Sequence, residues 1–212
     1  FKDSFEIVSG DVLKTWKDYF AKNGKPDRFF GNLPYNVAAA ISGGEVLGMI
    51  PKSCIPNYNE FYEARYFESG ENVCKTISLM NGQEVEMDTD LLFVCEQLPK
   101  LSIGVEICED LWTPNPPSIR HALAGANVMV NLSASNEITG KDTYRKDQVM
   151  GQSARLLCGY IYASAGDGES TQDVVYSGHN LIAENGKVLA ESKRFINETI
   201  YSELDLERLD TE

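Results

Sequence analysis

Apolar and polar positions alternate most sharply at residues 103–107, where Ile103, Val105 and Ile107 are separated by Gly104 and Glu106. A period of two predicts a short buried strand. The strand runs into Cys108, then Glu109, Asp110, Trp112 and a Pro-rich turn. A helix is expected from Ser118, with Ser118 as its N-cap and His121, Ala122, Leu123 and Ala124 behind it. Strand, cysteine, tight turn and helix together present a thiol at a strand end, where sites collect in α/β folds.

The same patterning organises the rest of the chain. Residues 5–8 read as a strand. Residues 12–21 carry Leu13, Trp16, Tyr19 and Phe20 at helical spacing, and residues 28–31 read as a further strand. Residues 37–41 and 46–50 predict a hairpin turning at Gly43-Gly44. Residues 69–90 read as a solvated excursion with a turn at Asn81-Gly82. Strands are expected at 91–95, 126–132 and 159–163, a helix at 148–157, and a hairpin from 180–183 and 187–191 around Glu184-Asn185-Gly186. Residues 201–206 close the domain. Strands interleaved with helices predict an α/β fold.

With 212 residues, 42% of them hydrophobic, the chain can build one sizeable core. The net charge of −13 disfavours a nucleic-acid or anionic-membrane partner. Five cysteines (Cys54, Cys74, Cys95, Cys108 and Cys158) are odd in number and contain no C-x-x-C pair. That argues against a disulfide framework or a zinc site and for a reduced, cytoplasmic setting. No apolar run reaches the ~18–20 residues that span a bilayer, and residues 1–11 do not read as a signal peptide. His121 and His179 lie in no triad-like context, which argues against a Cys–His mechanism.

Most free cysteines are small core hydrophobes, and the two acidic neighbours of Cys108 would raise its pKa rather than lower it. A basic partner must come from elsewhere in the chain. The whole string EICEDLWTPNPPS decides between these readings. It closely resembles the nucleophile segment of the glutaminase domains of glutamine-dependent NAD synthetases, which belong to the nitrilase superfamily of carbon–nitrogen hydrolases. Residues 35–70, YNVAAAISGGEVLGMIPKSCIPNYNEFYEARYFESG, resemble the same domains.

The resemblance implies a four-layer αββα sandwich, incomplete here at its N-terminus, and a Cys–Lys–Glu mechanism without a cofactor or metal. Cys108 would be the nucleophile. Lys52, in its P-K-S context, would supply positive charge and bind the developing oxyanion. Glu63 would be a second glutamate orienting the lysine, although a salt bridge to Arg65 or Lys52 is an equally simple role for it. Tyr58, Glu109 and Trp112 are placed near the substrate. Ser135 and Lys141, in the loop 133–148, fall where the family holds the head group of glutamine. The loop 168–173 is expected to be structural or interfacial. The resemblance also implies an ATP-dependent synthetase domain acting on deamido-NAD, expected downstream and absent from this sequence, and homo-oligomers in the intact family. Ser42-Gly43-Gly44 is followed by Glu45-Val46 and so does not form an ATP loop of the S-G-G-x-D-S kind.

The opening of the chain resembles a different family. GDVLK and PDRFFGNLPYN are similar to small-subunit rRNA adenine dimethyltransferases, in which Asp11 and Asn32-Leu33-Pro34-Tyr35 would hold the adenosyl donor and the target adenine. The Gly-rich donor loop of that family is absent, and a turn built on Asn and Pro is the simpler reading. The expected division is a methyltransferase-like fragment at 1–36 and a glutaminase domain at 37–212. The glutaminase family's third triad member lies in a P-E-L-x-x-T-G-Y string that does not occur here. An impaired glutaminase is therefore expected, the alternatives being a methyltransferase remnant or a non-catalytic fragment.

Overall fold

The computed structural model describes residues 35–166, 168–171 and 173–211. The elements expected at 5–8, 12–21 and 28–31, together with Asp11 and Asn32-Leu33-Pro34, lie outside the described residues. Among the described residues the strands form two sheets. In the first, β1 (Val37–Ser42) and β2 (Glu45–Pro51) make the expected hairpin. Gly43 and Gly44 sit at φ 60° and 88°, as a turn left-handed at both central residues requires.

Residues 69–90 are not a solvated excursion. They contain a second hairpin, β3 (Cys74–Ser78) and β4 (Glu84–Asp88), turning near Gly82 at φ 84°. Val85 and Met87 alternate with Glu84, Glu86 and Asp88, and both apolar side chains are buried. The three carboxylates mask this period of two in a reading by composition. β4 lies parallel to β2 through Met49 and Met87, giving the order β1-β2-β4-β3.

The second sheet has the order β10-β9-β8-β7-β6-β5. Its parallel centre is β6 (Leu98–Ile107), β7 (Val128–Ser133) and β8 (Gly159–Ser164). β5 (Leu92–Cys95), β9 (Leu181–Glu184) and β10 (Lys187–Glu191) extend it in antiparallel fashion. One face carries Val105, Ile107 and Val130, which pack on Ala38 and Ile50 of the first sheet. The other carries Met129, Tyr160 and Tyr162, which pack with Val149 beneath the helices. Sheet lies on sheet, and among the described residues the helices cover the outer face of the six-stranded sheet, the arrangement of an α/β sandwich.

Two helix boundaries differ from expectation. Helix α1 spans Pro117–Leu123 with Pro116 as N-cap, so Ser118 lies inside the first turn. Proline at the first helical position already has the helical φ and lacks only an N–H that would be unpaired. Helix α2 spans Lys141–Leu156, starting seven residues before the expected 148. Its buried positions include Arg145, Gln152 and Ser153 alongside Val149, a largely polar inner face that apolar periodicity does not reveal. Helix α3 spans Leu206–Thr211. Among the described residues no helix is long and apolar enough to cross a membrane.

Gly104 is where α1 meets the sheet. A Cβ there would lie 2.8 Å from His121 Cβ and 2.9 Å from His121 Nδ1. His121 is buried, with its Nε2 2.8 Å from the Thr89 carbonyl, so it has little room to retreat. Gly104→Ala is therefore expected to destabilise the fold by about 1–3 kcal/mol through overpacking. Urea unfolding of the two proteins measures this, and an unchanged midpoint would show that α1 yields freely.

Candidate active site

Lys52 directly follows β2, and its backbone is held from both sides. Its N–H donates to the Asn36 carbonyl at 2.8 Å, and its own carbonyl accepts from Gly70 N at 2.8 Å. Gly70 approaches so closely that a Cβ would come within 2.5 Å of Pro51. The Lys52 side chain is 1% exposed, and its Nζ lies 2.7 Å from Glu63 Oε2. An unpaired ammonium at that depth would cost several kcal/mol. Glu63, which opens the 3-10 turn Glu63–Arg65, removes that cost, so its partner is Lys52.

Cys108 is the first residue of the 3-10 turn Cys108–Trp112 and is 8% exposed. Its φ of 45° is left-handed, an uncommon conformation for a residue other than glycine. Its N–H donates to Asn131 Oδ1 at 3.1 Å. The buried carboxyl of Asp110 joins the two segments. Oδ2 accepts from Ile107 N at 2.9 Å, immediately before the cysteine, and Oδ1 accepts from Cys54 N at 2.7 Å, two residues after the lysine.

The other expected residues gather around this pair, apart from one. Tyr58 donates its hydroxyl to Glu109 Oε1 at 2.8 Å. Burial, that hydrogen bond and the nearby charges of Glu109 and Cys108 push the Tyr58 hydroxyl well up. Lys141 Nζ donates to Asn136 Oδ1 and lies 5.8 Å from the centre of the Phe61 ring. Burial draws the Lys141 ammonium below its usual range, opposed by negative charge at Cys108 and Glu109. Ser135 Oγ is buried and makes no hydrogen bond of good geometry among the described residues. Trp112, in contrast, is taken up in packing. It stacks on Tyr144 at 5.6 Å and meets Tyr162 edge-on at 6.4 Å.

Several participants were not singled out from sequence. Asn136 bridges Lys141 to Glu60, donating from Nδ2 to Glu60 Oε1. Buried Arg145 fixes the Asn136 carbonyl at 3.3 Å and pairs with Glu137 at 3.1 Å. Tyr162 and Tyr176 are both held above the ordinary phenol range, by burial first and then by charge at Cys108. The one legible signal was polarity where apolar residues belong, such as Asn131 in the buried strand VMVNLS.

Neither histidine joins the site. His121 contacts Thr89, and His179 sits between Arg145 Nη1 and Glu191 Oε1, each at 2.9 Å. All five cysteines are free. Burial pushes the thiols of Cys54 and Cys158 up to about 11 and about 12. A cavity of about 360 Å³ lies between the Trp112–Pro116 turn and α2, lined in part by Gln148 and Gln152, but it contains none of Cys108, Lys52 and Glu63.

The carbon-nitrogen hydrolase family model matches residues 19–211. The chain belongs to that family. This hydrolase is 48% identical over 161 residues to the glutamine-dependent NAD(+) synthetase of Mycobacterium bovis, a match covering 76% of this chain and 24% of the relative. The synthetase of the same name from Thermotoga maritima is 33% identical over 175 residues, covering 82% and 27%. Among solved structures, a glutamine-dependent NAD(+) synthetase from Cytophaga hutchinsonii superposes with a TM-score of 0.65 at 32% identity, covering 76% of this chain and 25% of that one. Yeast Nit3, a nitrilase-superfamily member, shares the fold with a TM-score of 0.60 at 22% identity, covering 84% and 55%. The hydrolase has the nitrilase-type sandwich expected from its sequence, and it spans about a quarter of the length of the curated synthetases it matches.

Asp110 gives the hydrolase a characteristic pH response. Burial pushes its carboxyl up to about 7, against hydrogen bonds from Ile107 and Cys54. In the unfolded chain it titrates near ~3.9. Below the unfolded value the group is neutral in both states. Above the folded value it is charged in both states, and folding must bury that charge. Stability therefore falls as pH rises from about 4 to about 7, by up to roughly 4 kcal/mol. Guanidinium unfolding between pH 4 and 8 should show the parent losing stability relative to Asp110→Asn across that window. Parallel profiles would count against the assignment.

Proposed function

We propose that this hydrolase cleaves the side-chain amide of glutamine through a thioester on Cys108. The observation that supports this most is the Asp110 clamp, which ties the segment carrying the buried Lys52–Glu63 pair to the turn carrying the strained Cys108. In this reading Sγ of Cys108 attacks the amide carbon, and Lys52 Nζ binds the oxygen that becomes anionic. The C–N bond breaks, the departing nitrogen takes a proton, and ammonia leaves. Water then adds to the thioester, releasing glutamate and restoring the thiol. The Cys108 N–H is already donated to Asn131, so any backbone donors to the oxyanion lie elsewhere.

The head group of glutamine has complementary partners here. Glu109, oriented by Tyr58, suits an α-ammonium. Lys141, held by Asn136, suits the α-carboxylate, and the Ser135 hydroxyl is available beside them. Trp112, taken up in packing on Tyr144 and Tyr162, has no part in these head-group contacts. The proposed unit is residues 37–212, although the family match reaches back to residue 19. Ammonia released here would feed an ATP-dependent synthetase step on deamido-NAD in an assembled, homo-oligomeric enzyme.

The proton transfers need a base. Glu63 is engaged by Lys52, and Glu109 by Tyr58. The chain carries no P-E-L-x-x-T-G-Y string. General acid–base catalysis is worth roughly 10²–10⁴-fold, so the 212-residue chain is expected to turn glutamine over well below ~1 s⁻¹, the low end of ordinary enzymes. A coupled ammonia assay measures this, with Cys108→Ala expected to abolish release and Lys141→Ala to raise KM more than it lowers kcat. A glutamine-mimicking electrophile should label Cys108 ahead of the other four cysteines, with glutamine protecting it. Equal labelling elsewhere, or release undiminished in Cys108→Ala, would overturn the proposal.

A further inference from the structure

Beneath the nucleophile runs a buried chain of polar groups that the proposed reaction does not use. Glu106, Asn131 and Tyr160 are 1%, 0% and 0% exposed. Glu106 and Asn131 are register partners on β6 and β7, and Tyr160 lies on β8. Carboxylates and asparagines in the middle of a parallel sheet are costly unless fully paired. These are paired in a fixed order. Glu106 Oε2 accepts from Ser118 N at 3.0 Å, and Glu106 Oε1 accepts from the Tyr160 hydroxyl. The Tyr160 oxygen then accepts from Asn131 Nδ2 at 3.3 Å. Asn131 Oδ1 accepts from Cys108 N at 3.1 Å and from Ser133 Oγ at 2.7 Å.

We propose that Asn131 is a positioning residue for the nucleophile, and that Glu106, acting through Tyr160, sets which way its amide faces. This rests on the reading of Cys108 as the reactive thiol. The two ends of an asparagine amide have nearly the same shape, so packing alone does not choose between them. The proton order does. Glu106 takes the only proton of the Tyr160 hydroxyl, which leaves lone pairs toward Asn131, and only the NH₂ end can satisfy them. The carbonyl end is thereby turned to the Cys108 N–H. Burial, then the charge of Glu106, hold Tyr160 well above the ordinary phenol range, so it keeps that proton. The hydrogen bond to Cys108 secures a residue at φ 45°, a conformation that needs external support. Asn131 thus fixes the peptide from which Sγ projects.

The test is a double-variant cycle on the full chain, read as the rate of iodoacetamide alkylation at Cys108 by peptide mapping. Buried Cys158 serves as an internal reference for general loosening. Tyr160→Phe should slow alkylation at Cys108 roughly five-fold, the loss of about one hydrogen bond, while Cys158 labelling stays flat. Asn131→Ala should slow it by up to roughly 100-fold. Because Asn131→Ala leaves the Cys108 N–H and the Ser133 hydroxyl without their acceptor and puts folding at risk, Asn131→Asp, which keeps the shape and the acceptor but removes the donor, supplies the second background. There Tyr160→Phe should leave the rate unchanged or raise it, since an oxygen–oxygen contact is relieved. An equal loss in both backgrounds, no loss in Tyr160→Phe, or a parallel rise at Cys158 would overturn the assignment. If the parent hydrolyses glutamine, kcat should follow the alkylation rates with KM held. If turnover by the parent is too slow to measure, the cycle still decides the role of Asn131, while glutamine protection of Cys108 against the electrophile separately decides the glutaminase reading.

Discussion

A lysine ammonium cannot occupy a protein interior without a counter-charge, and Lys52 is buried to 1% exposure. Its stability depends on Glu63 at 2.7 Å and on the backbone grip of Asn36 and Gly70, which offset the loss of water around it. The cation is worth this cost because an ammonium in a low-dielectric setting acts far more strongly on a nearby anion than it would in water. The close approach of Gly70 to Pro51 and the Asp110 clamp follow from the same requirement. Both keep the lysine segment from drifting away from the cysteine turn.

The two faces of the six-stranded sheet divide the labour. The face toward β1 and β2 is apolar, with Val105, Ile107 and Val130 against Ala38 and Ile50, and it sets the distance between the lysine segment and the strand that leads into Cys108. The face toward α1 and α2 mixes aromatic side chains with Glu106 and Asn131 and carries the hydrogen bonds that reach Cys108 from below. Apolar contact gives stability without direction, whereas hydrogen bonds give direction at the cost of complete pairing.

The strand into Cys108, the Gly43-Gly44 hairpin and the hairpin at Asn185 were legible in the sequence because period and turn chemistry coincide there. The hairpin of β3 and β4 was not, since its outward positions are carboxylates that lower the apparent hydrophobicity of the whole stretch. The N-terminal half of α2 was hidden because its buried residue is Arg145, which buries only through Glu137, His179 and the Asn136 carbonyl. Around Cys108, the resemblance named Lys52, Glu63, Tyr58, Glu109 and Lys141 from local strings, and hydrogen bonds join Lys52 to Glu63 and Tyr58 to Glu109. Asn131, Asp110, Asn136 and Glu60 act across long sequence separations, and nothing in their immediate neighbours announces a partner 23, 56 or 76 residues away.

The Asp110–Cys54 bond also governs when the site comes into being. It closes a loop across 56 positions, and both of its ends are backbone groups or carboxyls content with water until the interior dries. Long-range closures of this kind form after the strands that bring their ends together. While the chain folds, the thiol and the lysine belong to separate segments, and neither perturbs the other. The union of the Lys52 segment with the Cys108 turn therefore emerges with the completed sandwich, in a molecule that has already buried its core.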